Sequence, residues 1–126
     1  MTSGAKNGTE TPGIDVMVLQ ALEADTSREL VPELVDVFVK SADTRRDQIS
    51  ADIAAGNLEG AAGQAHALKS SSATFGAMEV RRVSADLETA CKSGDRTGSE
   101  RLAVELVHTL DTAKQTLKTY VAKITG

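Results

Sequence analysis

No proline follows Pro32, and only Pro12 precedes it. The one side chain that both locks φ and removes a backbone donor is therefore missing from most of the chain, and helices can run there without interruption. The apolar residues of that part recur every three or four positions, the period of an amphipathic helix, and do not alternate as in a strand. Leu58, Ala61, Ala65, Leu68, Ser72 and Phe75 share one face of a helix predicted from Leu58 to about Phe75. Val80, Val83, Leu87, Ala90 and Cys91 predict a second from about Met78 to Ser93. Leu102, Leu106, Leu110, Leu117 and Val121 predict a third from about Ser99 to Lys123. Upstream, Leu30, Leu34, Val37 and Phe38, resumed by Ile49 and Ile53, mark a helix over about Arg28 to Ala55. Its middle, Lys40 to Gln48, is polar and expected to be exposed. Pro32 falls in its first turn, where a missing N–H costs least, and Ala24 to Ser27 would supply its N-cap. Ile14, Met17, Val18 and Leu22 suggest a short helix before it, over Ile14 to Glu23.

Gly56-Asn57, Gly76-Ala77, Ser93-Gly94-Asp95 and Thr97-Gly98-Ser99 punctuate these segments as caps and turns, and Gly76 would also let the next helix approach closely. No strand pattern and no internal repeat occur. The expected fold is all-α: an antiparallel up-down-up-down four-helix bundle with a short extra N-terminal helix. Residues 1–12 (MTSGAKNGTETP) are polar and read as a flexible tail, leaving 13–126 as one domain. With aromatics at 2%, the core must be built from Ala, Val, Leu and Ile.

Several function classes fall away. The formal net charge of −4 argues against nucleic acid as a partner, since phosphate backbones call for a basic footprint. No apolar run is long enough for a membrane span, and the first residues lack the apolar core of a secretory signal. Cys91 is the sole cysteine, so no internal disulfide is expected. It reads as a small core residue and fits a reducing cytoplasm. With two histidines and one cysteine far apart in sequence, no metal site is expected. Ser70, Ser71 and Ser72 have no base–acid pair to activate a nucleophile, and Ser72 faces inward. No P-loop, kinase Gly-rich loop or aspartate cluster for Mg²⁺ is present.

The feature these exclusions leave is His66. Its neighbours on the helix surface are Ala62, Gly63, Lys69 and Ser70, with Ala73 two turns on. Apart from Lys69, none reaches further than a hydroxymethyl group, so another protein could approach the imidazole unobstructed. An unperturbed imidazole titrates near pH 6.5 and is a competent nucleophile when neutral. A lysine one turn away can place an ammonium beside an attached phosphoryl group. The bland alternatives are an idle surface histidine, as His108 is taken to be among its ordinary neighbours, and a solvated lysine.

The string His66-Ala67-Leu68-Lys69-Ser70-Ser71-Ser72, followed by Gly76-Ala77, resembles the signature of histidine-containing phosphotransfer (HPt) domains, H-x-L-K-G-S-S-x-x-x-G-A. Ser70 stands where the family usually has glycine, a slightly more crowded but still small residue. The resemblance implies that His66 accepts and donates a phosphoryl group, that Lys69 steadies its charge, and that a Glu or Gln of the following helix, here Glu88, hydrogen-bonds the ring. Glu88 could equally be a surface glutamate on a polar face. The carrier is expected to stand alone in the cytoplasm without a cofactor, and as a monomer, since no strong self-pairing surface is evident in the sequence. Its partners would be the aspartate-bearing receiver domains of a hybrid histidine kinase and a response regulator, and Mg²⁺ would belong to those partners. The rival reading is a helical adaptor that binds partners without phosphotransfer.

Access around His66 is testable. The docking surface would combine the outward face of its helix (Ala62, Gly63, Ser70 and Ala73) with side chains of the helix before it. Ser70→Trp or Ala73→Trp should then abolish transfer and receiver binding while helical circular dichroism is unchanged. Ser70→Gly should transfer at the same rate or faster, at a cost of about 0.5–1 kcal/mol of helix stability. Transfer rates measured beside melting curves check all three, and normal transfer by the tryptophan variants would place the partner elsewhere.

Overall fold

A computed structural model describes residues 11–126, so all but the end of the expected tail lies outside it. Helices α1 (Val16–Asp25), α2 (Val31–Ala54), α3 (Leu58–Thr74), α4 (Met78–Lys92) and α5 (Arg96–Thr125) are joined by short connections, and no strand occurs among the described residues. Helix α3 packs on α2 and α4, and α5 closes the ring by packing on the same two helices. This is the expected four-helix bundle, with α1 laid across one end. No helix among the described residues is long and apolar enough to cross a membrane.

The core is aliphatic, as the shortage of aromatics requires. Leu19, Ile49, Leu68, Leu87, Leu106, Leu110 and Leu117 are fully enclosed. Phe38 of α2 and Phe75 at the end of α3, the chain's two phenylalanines, stack with ring centroids 4.6 Å apart. Such an offset pair adds about 0.5–1.5 kcal/mol beyond its buried area.

Three details depart from expectation. In α2 the buried residues are Val31, Val35, Phe38, Ala42, Ile49 and Ile53. Val37 is 61% exposed and Leu30 47% exposed, and the polar middle contributes Ala42 to the core. The helix also starts at Val31, not near Arg28, and no side chain caps it; Ser27 Oγ accepts only from the Leu30 N–H before it, at 3.3 Å. Finally, α5 starts at Arg96. Thr97, Gly98 and Ser99 are its first turn and not a loop, because the Asp95 side chain accepts from the Gly98 N–H (2.9 Å) and caps the helix early.

Small anchors hold α1. The Asp15 N–H donates to the Gly76 carbonyl (2.7 Å), and the Thr116 hydroxyl donates to the Pro12 carbonyl (2.8 Å), tying down the last residue assigned to the tail. The Tyr120 hydroxyl donates to Glu23 Oε1 (2.8 Å), and Arg28 pairs with the other oxygen of Glu23 at 2.8 Å. Gly76 has φ +71°, and a Cβ there would come within 2.5 Å of the Asp15 carbonyl oxygen and 3.0 Å of the Val18 Cβ. The close approach expected of Gly76 is thus real, but the helix that approaches is α1.

Gly76→Ala therefore meets a left-handed backbone and a backbone atom that must move. We expect a loss of about 2 kcal/mol or more, roughly the left-handed penalty plus the displacement of α1. Urea unfolding of the variant beside the parent checks this, and a change under about 0.5 kcal/mol would contradict it.

Candidate functional site

Helix α3 is unusual for a core element. Ala61, Ala62, Ala65, Leu68 and Ser72 form its buried face, and only the leucine is large. Small residues let the neighbouring helix come near, and α4 lies against this face. Asn57 caps α3, its side chain accepting from the Gly60 N–H at 3.0 Å, and Gly56 (φ +78°) ends the helix before it. These two residues fix where α3 begins, and so the side on which His66 emerges.

His66 stands on the flank of α3 facing α4, with its side chain 61% exposed. Its Nδ1 lies 2.9 Å from Glu88 Oε2. Lys69, one turn along α3, donates from Nζ to Glu88 Oε1 at 2.8 Å. Lys92, one turn along α4 from Glu88, places its Nζ 3.0 Å from Oε2. The carboxylate is itself only 8% exposed. Burial alone would raise its pKa, but the bonds from Lys69 and Lys92, helped by His66, outweigh burial and hold it down at about 2. Glu88 is consequently ionised at neutral pH and can only accept, so the His66 bond runs Nδ1–H to Oε2. In a neutral ring that tautomer leaves the lone pair on Nε2.

The structure thus gathers His66, Lys69 and Glu88 into one cluster. Glu88 is not the surface glutamate that its sequence equally allowed. Lys69 sits at the boundary of the buried face as expected, but its ammonium is already engaged. Lys92 was missed; its i,i+4 spacing from Glu88 was the available signal. His108 is exposed on α5, in a separate hollow with Arg82 and Glu105. Cys91 is buried, and its Sγ donates to Ser99 Oγ at 3.3 Å.

An open hollow of about 630 Å³ lies beside the imidazole, lined by Glu59, Ala62, Gly63 and His66 of α3 and by Glu88, Cys91 and Lys92 of α4. The walls next to the ring thus come from α3 itself and from α4. Of the four expected docking residues, Gly63 and Ser70 are exposed and Ala73 is half-buried. Ala62 is only 4% exposed because it lies at the α3–α4 seam, so it offers little surface. A Cβ added to Gly63 would meet nothing within 4 Å, so no packing among the described residues asks for glycine there. Among the described residues, no group of three or more His, Cys, Asp or Glu side chains is placed to hold a metal ion.

Comparison with known proteins agrees with the helical bundle. Residues 33–120 match the family model of the Hpt domain. The phosphorelay protein LuxU of Vibrio cholerae serotype O1 (strain ATCC 39315 / El Tor Inaba N16961) is 30% identical over 81% of this chain and 88% of its own. The crystal structure of histidine-containing phosphotransfer protein B from Pseudomonas aeruginosa PAO1 superposes with a TM-score of 0.85, over 89% of this chain and 96% of the other. At 22% identity, that last likeness speaks for the fold.

The buried carboxylate makes acid stability predictable. The folded pKa of Glu88, about 2, lies below its ordinary value of 4.5, so its contribution is complete above about pH 4.5. It is lost as pH falls from there towards 2, because the unfolded chain takes up its proton first. Stability from urea unfolding should fall through that window in the parent and fall less steeply in Glu88→Gln. Parallel curves for the two chains would contradict the assignment.

Proposed function

Because the chain belongs to the Hpt domain family of phosphorelay phosphotransfer proteins, we propose that His66 is its phosphoryl acceptor and donor. The observation that carries this reading is the bond from His66 Nδ1–H to a buried, ionised Glu88 (2.9 Å), on a ring left mostly exposed. It orients the imidazole, selects the tautomer, and leaves Nε2 as the nucleophile.

The phosphoryl group comes from the phospho-aspartate of a receiver domain. The Nε2 lone pair attacks phosphorus while the bond to the aspartyl oxygen breaks, and the aspartate departs as a carboxylate. The ring keeps its Nδ1 proton and becomes an N-phosphorylated imidazolium, whose positive charge Glu88 offsets. Lys69 turns its ammonium to the phosphoryl oxygens, which carry about −2 of charge. Transfer onward is the same step reversed, towards the aspartate of another receiver. The chain contributes a carrier's chemistry and no kinase step. Mg²⁺ and the groups that activate the aspartate belong to the receiver.

Receiver domains would reach the ring across the hollow between α3 and α4. Exposed Gly63 and Ser70 supply the close approach. The receivers of a hybrid histidine kinase and of a response regulator are the partner class this chemistry fits, with transfer taking place in the cytoplasm.

The test is incubation with receiver domains phosphorylated by acetyl phosphate. The parent should gain one acid-labile label, as phosphohistidine is lost in acid and phosphoserine is not. His66→Gln should keep its helical circular dichroism and gain no label. Labelling that persists in this variant, or that maps to His108, would overturn the assignment.

A further inference from the structure

Glu88 has more cations than one buried carboxylate needs. Lys69 reaches Oε1 from α3 at 2.8 Å, and Lys92 reaches Oε2 from α4 at 3.0 Å. Their settings differ. Lys69 is 30% exposed and stands on the helix that bears His66, one turn away. Lys92 is 67% exposed and stands on the same helix as Glu88, paired with it at i,i+4 spacing. Lys92 also lines the hollow beside the imidazole.

If His66 is the acceptor, Lys69 must leave Glu88 to meet the arriving phosphoryl group. At that moment the ring is still neutral, and Nδ1–H is its only offer to the carboxylate. A buried carboxylate without a cation, close to an approaching dianion, would hold Lys69 back, because removing one partner of a buried charge costs more than the pair itself contributes. We propose that Lys92 is a positioning residue that keeps Glu88 compensated while Lys69 moves from the carboxylate to the phosphoryl oxygens. The inference rests on the reading of His66 given above. Lys92 acts through Glu88 and touches neither the phosphoryl group nor the receiver. The bonds made and broken are those of the transfer already described: Nε2–P forms, the bond from phosphorus to the donor breaks, and the proton stays on Nδ1.

The test uses the full chain and phosphoramidate, a small phosphoryl donor with no protein surface, with the N–P signal followed by ³¹P nuclear magnetic resonance. Lys92→Ala should slow labelling of His66 about fivefold, the loss expected from one partly exposed ion pair, and Lys92→Arg should restore most of the rate. In a Glu88→Gln background, where there is no carboxylate to compensate, Lys92→Ala should change the rate less than about twofold. In the otherwise unaltered chain, Lys92→Ala should also move the titration of the Glu88 carboxyl carbon to higher pH, and an unmoved titration would show that Lys92 does not compensate the carboxylate and overturn the proposal. An equal loss of rate in both backgrounds would show that Lys92 contacts the phosphoryl group itself and overturn the proposal, as would no loss in Lys92→Ala. A parent chain that takes no label on His66 while a receiver still labels it elsewhere would overturn the reading of His66 instead.

Discussion

A carboxylate taken out of water must be compensated, and Glu88 is where this bundle meets that condition. Its two oxygens are reached by three groups from two helices: His66 and Lys69 of α3 and Lys92 of α4. The requirement fixes more than one side chain. Sliding α3 against α4 by a turn would remove two partners at once and leave a buried charge behind, which costs several kcal/mol. The register of the central helix pair and the orientation of the imidazole are therefore set by the same contact.

That contact depends on α3 being poor in side-chain bulk. Gly60, Gly63 and the serine run make α3 a weak helix by intrinsic propensity, so packing and its cap hold it in place. Ser72 of α3 is enclosed with a hydroxyl that has no hydrogen-bond partner among the described residues, a cost an alanine would not carry. Gly63 has open space where a Cβ would sit. Local stability has been given up along the helix that presents the histidine, as happens where access matters more than rigidity.

How much of this could be read from the chain varied with the strength of the apolar period. The faces of α3 and α4 were legible because few apolar residues stray off them. In α2 they were not, because Val31, Leu34, Val35, Val37, Phe38 and Val39 crowd all sides of the first turns, and a stripe through Leu30 and Val37 fits as well as the true one through Val31 and Val35. The start of α5 was hidden by Gly98 and Ser99, which look like turn residues. Gly98 is instead shaped by its cap, since a Cβ there would collide with the Asp95 carboxylate. The site was half legible. His66 and Lys69 announce themselves by spacing and by the small residues around them. The burial of Glu88 does not, since an isolated glutamate is exposed by default and only its partners, brought in by tertiary packing, make the interior tolerable.

The aromatic poverty that forces an aliphatic core also decides what light can see of this molecule. The chain has no tryptophan and one tyrosine. That phenol, Tyr120, is bound to Glu23, and so sits at the junction where α1 meets the last turns of α5. The tyrosine band in absorption and emission therefore reports on one seam of the bundle, remote in sequence from α3 and α4. Fraying of α1 would register there while the histidine and its carboxylate stay dark. Events at His66 would leave the tyrosine signal flat unless they travelled through the fold to the contact of α1 with α5. Spectroscopically, the protein comes with a single phenolic gauge, fixed where α1 meets α5.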